Sequence, residues 1–127
     1  MDIITHVPLD KALDEPITAR ILSQNVTAVP TLTMMETVFH ILHRPDADYA
    51  FARESVSIMY KAGVPILAGT DANTAPGVPA NVKHGKSLHH KLKLLVEAGV
   101  SNVDALRAAT VLPARWFGLT DRGKVQA

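Results

Sequence analysis

Two residues with the right side chains for hydrolytic or metal chemistry occupy matching positions in this chain. His6 follows the short run Ile3-Ile4-Thr5, and Asp71 closes Val64-Pro65-Ile66-Leu67-Ala68-Gly69-Thr70. Each run reads as a short strand. Pro65 suits a first strand position, where a missing donor does little harm, and Ile66 to Ala68 is an apolar run bounded by turn residues. In parallel α/β folds, chemistry collects where strands end and loops begin. Two residues on the ends of parallel strands share one rim and can converge. Imidazole nitrogen and carboxylate oxygen both bind Zn²⁺ and similar divalent ions. A carboxylate beside a metal-bound water can also take its proton. The plain alternatives are a turn- or helix-capping role for Asp71 and a surface-loop position for His6.

The other histidines fit such chemistry less well. His84 lies in the long segment from Ala72 to Gly85 and is a candidate substrate contact, with plain loop surface as the alternative. His89 and His90 are adjacent, so on a helix they diverge by about 100° and cannot chelate one ion together. His40 and His43 share a helix face, but they sit at a helix end, where cationic side chains are favoured on other grounds. Phosphate-binding glycine loops, a Gly-x-Ser-x-Gly elbow and His-Glu-x-x-His are absent. With no cysteine, disulfides, thiolate ligands and a cysteine nucleophile are excluded.

The elements that must position these residues alternate between strand and helix. Asp14 reads as the N-cap of a helix with Glu15 and Pro16 in its first turn and Asn25 at its end. Val26 to Leu32 is rich in β-branched residues and reads as a second strand. Thr33 to His43 has a helical pattern stopped before Pro45. Asp48 caps a helix reaching about Lys61, closed by Gly63. After the third strand and its loop, Ser87 begins a helix through Ala98. Its expected apolar stripe is Leu88, Leu92, Leu95 and Val96, with Lys86, Lys91, Lys93 and Glu97 mostly off it. Ser101 with Asp104 resembles a capping box. Val103, Leu106 and Ala109 form the expected apolar face of the next helix, and Pro113 to Phe117 reads as one more, closed by Gly118. This order implies βα units and a parallel sheet.

The 127 residues, 47% hydrophobic and 20% charged, suit one globular domain over 1–127. Thirteen basic and twelve acidic residues leave a net charge of +1 with no basic block, which gives no reason to expect a nucleic-acid or membrane partner. The N-terminus lacks the pattern of a signal peptide, and no run approaches the roughly 20 apolar residues of a membrane span. A cytoplasmic protein is expected.

The run GVPILAGTDAN, followed by GKSLHHKLKLLVEAGVSNVDALRAATVLPARWFGL, resembles the C-terminal part of the barrel in the amidohydrolase superfamily. It is most similar to the imidazolonepropionase-like and prolidase-like metal-dependent hydrolases. ITHVPLD and AVPTL are similar to that family's sixth strand and the start of its seventh. The resemblance implies a partial (β/α)8 barrel comprising about the last three βα units. It implies a hydrolase of C–N bonds in amides or cyclic amides, acting through hydroxide on one or two divalent metals, most often Zn²⁺. His6 matches the family's sixth-strand metal histidine. Asp71 matches the eighth-strand aspartate, which binds metal and accepts the proton of the attacking water. The family's first-strand His-x-His pair, fourth-strand lysine or glutamate and fifth-strand histidine have no counterpart here. A full barrel takes about 250 residues, and a catalytic zinc takes about three protein ligands. The chain alone is therefore expected to bind metal weakly and turn over little. The alternative is a non-catalytic α/β module that uses its open sheet edges to pair with another copy or with a missing barrel half.

Overall fold

The computed structural model describes residues 2–78 and 80–125. Its elements run β1 (Ile3–Thr5), α1 (Glu15–Ser23), β2 (Thr27–Val29), α2 (Leu32–Leu42), α3 (Tyr49–Lys61), α4 (Lys86–Glu97), α5 (Asn102–Ala109) and α6 (Val111–Trp116). The fold is mixed α/β, with a small parallel sheet and its helices around it. β1 and β2 are parallel, pairing Ile3 with Thr27, Ile4 with Ala28 and Thr5 with Val29.

The expected third strand is reduced to a single parallel bridge between Ala28 and Ile66. The Ala28 amide donates to the Pro65 carbonyl (2.9 Å) and the Leu67 amide to the Ala28 carbonyl (2.9 Å). There the pairing stops, because the Ala68 amide turns to the Ala108 carbonyl in α5 (2.9 Å). Pro65 contributes no donor of its own. The segment still runs alongside β2 in the same direction, so the spatial order is β1, β2, then Pro65–Leu67.

The helix termini follow their caps. Asp14 accepts from the Ile17 amide (3.1 Å) and Asp48 from the Ala50 amide (2.8 Å), satisfying amides that have no partner inside the helix. Asn25 adopts a left-handed backbone just beyond α1, and Gly63 does so beyond α3. The left-handed His43 ends α2 ahead of the Arg44-Pro45 step. Ser101 accepts from the Asp104 amide (3.1 Å). Asp104 also receives the Tyr60 hydroxyl (2.6 Å), which ties α5 to the end of α3. α4 differs from expectation: it starts at Lys86 behind a left-handed Gly85, and Ser87 lies inside it.

The core joins Ala28, Leu32, Ala52, Val56, Met59, Ile66, Leu95 and Ala105 across β2 and the helices behind it. Ser55, also buried, accepts the Leu13 amide (3.0 Å) and donates to the Phe51 carbonyl (2.7 Å), fastening the approach to α1 onto α3. Two expected faces are rotated. On α4 the buried side is Lys91, Leu94, Leu95 and Ala98, while Leu88 and Val96 are exposed. On α5, Ala105 and Ala108 are buried and Val103 and Leu106 face outward. β1 is also less covered than a parallel strand usually is, with Ile3 39% and Ile4 38% exposed. No helix among the described residues is long and apolar enough to cross a membrane.

Candidate functional site

After the three parallel segments come three non-glycine residues with left-handed backbone: His6 (φ 66°) directly after β1, Thr31 (φ 41°) two residues after β2 and Asp71 (φ 55°) four residues after Leu67. This conformation is uncommon outside glycine, and for a β-branched threonine it is an outlier. Strain of this kind concentrates at functional sites. Here it turns the chain sharply at the rim, so each strand ends by presenting a polar side chain.

His6 continues the ladder by one bond, its amide donating to the Val29 carbonyl (3.0 Å). Its Nδ1 lies 2.7 Å from the Thr31 hydroxyl oxygen. The residues just after it are anchored. Val7 is buried in the core, and the Leu9 carbonyl accepts the Asp48 amide (2.7 Å) at the start of α3. The residue is exposed, and with Nδ1 beside Thr31, Nε2 is the ring nitrogen without a hydrogen-bond partner among the described residues. A cavity of about 240 Å³ opens beside this loop, lined by Val7, Pro8 and Leu9 on one side and Met35, Phe39 and Leu42 of α2 on the other.

Asp71 is placed by a tighter neighbourhood. The Thr33 hydroxyl donates to the Thr70 carbonyl (3.0 Å), linking the end of the third segment to the first turn of α2. Gly69 packs so closely on Val29 that an added Cβ would lie 2.3 Å from its Cγ1, which explains a glycine there. Beyond Asp71, the Asn73 amide donates to the Val82 carbonyl (3.0 Å), and the Asn73 side-chain amide reaches the Asp71 carbonyl (3.4 Å). The Asp71 carboxylate accepts no hydrogen bond among the described residues, and the residue is exposed.

His84 is exposed in the loop before α4, where its carbonyl accepts the Lys86 amide (3.0 Å). His40 and His43 are exposed at the end of α2. His90 pairs with Glu36 and links α4 to α2. Among the described residues, no group of three or more His, Cys, Asp or Glu is arranged to hold a metal ion. His6 and Asp71 are therefore the right kinds of donor for a divalent ion, but they fall short of the about three protein ligands a catalytic zinc takes.

Two residues outside the expected set stand out. Thr31 is the partner of His6. Lys91 is 0% exposed, and its Nζ has no hydrogen-bond partner among the described residues. Burial pushes the Lys91 amine well below the usual lysine range, because a charge is costly away from water. Burial likewise pushes the Tyr49 phenol up, with Glu36 adding to the effect.

No protein-family model matches the sequence, and no curated protein matches it. Solved structures do resemble it. All of this chain superposes on 32% of a Xaa-Pro dipeptidase whose crystal structure has methionine bound in the active site, with a TM-score of 0.75 and 22% identity. An uncharacterized protein aligns over 99% of this chain and 31% of its own length, with a TM-score of 0.71 and 20% identity. The likeness is one of fold, and this chain spans about a third of the length of either protein.

Proposed function

We propose that this chain is one part of a metal-dependent hydrolase of the amidohydrolase type, acting on C–N bonds of amides or cyclic amides. In this reading it forms the last three βα units of a (β/α)8 barrel and supplies His6 and Asp71 to the metal site. The observation that carries the reading is the shared geometry of those two residues. Each stands just beyond a parallel-running segment, exposed, on a left-handed backbone. The fold likeness to a Xaa-Pro dipeptidase agrees with a hydrolase-like fold.

The residues of this chain have distinct tasks in that reaction. The His6 imidazole offers Nε2 as a donor. The Asp71 carboxylate accepts a proton from the attacking water and returns it to the departing nitrogen. The small cavity beside the His6 loop gives part of a substrate a place to sit, and His84, in the loop that follows Asp71, is a candidate substrate contact. The bound ion would polarise the scissile carbonyl. Because two donors are fewer than such an ion takes, the chain alone is expected to hold it weakly and to show little or no turnover.

Metal content of purified chain after chelator treatment and Zn²⁺ readdition tests this reading. Weak binding that disappears in both His6→Ala and Asp71→Ala is expected. Zn²⁺ retained unchanged in both variants would remove these residues from the site.

The open β1 edge favours one second reading, an interaction module that pairs edge to edge. The Asp2 carbonyl and His6 amide bond to β2, so by strand alternation Ile3 and Thr5 turn their backbone groups to the open side. Concentration-dependent self-association abolished by Ile4→Lys would favour that reading; a monomer at high concentration would count against it.

A further inference from the structure

We propose that Thr31 is a positioning residue for His6, holding the imidazole through Nδ1 so that Nε2 faces the ligand side of the rim. The proposal rests on the reading of His6 as a site residue, but the contact itself does not depend on a metal. Thr31 is 3% exposed and His6 is exposed, so one partner is locked in the fold and the other projects from it. Their contact, 2.7 Å between Nδ1 and Oγ1, joins residues 25 positions apart across the ends of β1 and β2.

Two features argue that the hydroxyl is placed for this contact. Thr31 occupies the N-cap position of α2, where a threonine hydroxyl ordinarily accepts an amide of its own helix. Here it makes no such cap bond. Thr31 also holds a left-handed backbone at φ 41°, which a β-branched side chain adopts only under constraint. The strand end is thus bent against its local preference, and the hydroxyl that should serve the helix serves His6.

A hydroxyl is well suited to this task because it both donates and accepts. When Nε2 carries the ring proton, the Thr31 O–H donates to the Nδ1 lone pair. When Nε2 is engaged by a cation, the proton resides on Nδ1 and N–H donates to Oγ1. A rotation of the hydroxyl hydrogen lets the ring keep one orientation in both states. Partners on the second ring nitrogen commonly fix a ligating histidine in this way.

The test replaces Thr31 with Val and with Ser in the full chain. Valine is also β-branched, so it retains the backbone constraint and removes only the hydroxyl. Serine retains the hydroxyl. Ring ¹⁵N signals of His6 are read by NMR at a pH where the ring is neutral, with the amide signal of Thr27, which donates to the Asp2 carbonyl, reporting an intact β1–β2 pair. An Nδ1 signal shifted by its hydrogen bond in the native chain, loss of that shift in Thr31→Val and its recovery in Thr31→Ser are expected. Zn²⁺ affinity, followed by the same signals, should fall about tenfold or more in Thr31→Val and recover in Thr31→Ser. Native-like ring signals in a folded Thr31→Val chain would overturn the proposal, as would failure of a folded Thr31→Ser chain to restore them. His6→Ala run alongside separates the two questions: Zn²⁺ binding indifferent to His6 removes it as a ligand, whereas the ring signals decide the role of Thr31.

Discussion

The sheet has two edges, and they are supported very differently. On one side, Ile66 and Leu67 are buried, the Ala68 amide is taken by α5, and the core of α3, α4 and α5 lies behind them. On the other side, β1 has two half-exposed isoleucines, and its order derives from one neighbouring strand and the anchored loop after His6. The two candidate ligands therefore rest on unequal foundations. Asp71 ends a segment gripped by Gly69 against Val29 and by the Thr33 hydroxyl on the Thr70 carbonyl. His6 depends on a short strand and on Thr31. The difference teaches that packing in this chain is concentrated behind the third segment, while the β1 side retains half-exposed apolar surface.

Paired truncations give the largest expected contrast. Leu95 is fully buried within the main cluster, so Leu95→Ala should cost about 2–5 kcal/mol through lost burial and the cavity left behind. Ile4→Ala removes a side chain already in contact with water and should cost about 1 kcal/mol or less. Chemical denaturation of the two variants measures both. Equal losses would mean that β1 is as firmly integrated into the fold as the helical core.

Lys91 is a weakness inside the well-packed side. Its amine is buried without a partner among the described residues, and removing an unsatisfied buried polar group in favour of an apolar one of similar shape is stabilising. Lys91→Met should raise stability by about 1–3 kcal/mol. The pH dependence follows from the direction of the shift. Burial holds the folded-state pKa well below its unfolded value, so the unfolded chain binds more protons between the two. Stability from this site should fall as pH drops from about 10.4 toward the folded-state pKa. Denaturation midpoints from pH 7 to 10 should show this slope in the native chain and lose its Lys91 part in Lys91→Met. Parallel curves for the two proteins would show that the amine finds a partner or remains charged.

This lysine also shows what a sequence can and cannot convey. The α4 pattern contains enough leucines to be read as Leu88, Leu92, Leu95 and Val96, yet the helix is turned so that Lys91, Leu94 and Ala98 share the buried side with Leu95. A small rotation about the axis changes which apolar residues face inward, and a lysine normally argues against the correct choice. The same holds in α5, where two alanines are buried and larger apolar residues are exposed. Helix ends fared better because their signals are local. Asp14, Asp48 and Ser101 all cap as their side chains predict, and Gly63 stops α3. The candidate rim is similar. The positions of His6 directly after β1 and of Asp71 four residues after Leu67 are legible because residue type and nearness to a strand end are both local properties. Thr31 is not, because its contact with His6 depends on the register of β1 against β2, which no periodicity encodes. The third segment remained mostly unpaired for a comparable reason: the competing acceptor at Ala108 lies 40 positions downstream of Ala68.

The smallest expected effect concerns the backbone of the two rim residues and sharpens the contrast between their supports. Glycine adopts positive φ without the penalty borne by other residues. Asp71 makes no side-chain hydrogen bond among the described residues, so Asp71→Gly removes backbone strain without losing a contact. A left-handed backbone costs a non-glycine residue about 1–2 kcal/mol and glycine adds about 0.4–1 kcal/mol of unfolded-state entropy, so stability should rise by about 0.5–1 kcal/mol. His6→Gly relieves the same kind of strain but loses the bond to Thr31, worth about 0.5–1.5 kcal/mol, and should leave stability nearly unchanged. Denaturation of the two variants separates the cases, with Zn²⁺ binding expected to be lost in both. A chain made more stable by removal of the Asp71 carboxylate would favour its retention for chemistry at the expense of the fold. Destabilisation by Asp71→Gly would instead show that the carboxylate supports the loop from Ala72 to Gly85, returning it to the structural role that an aspartate at a strand end can also fill.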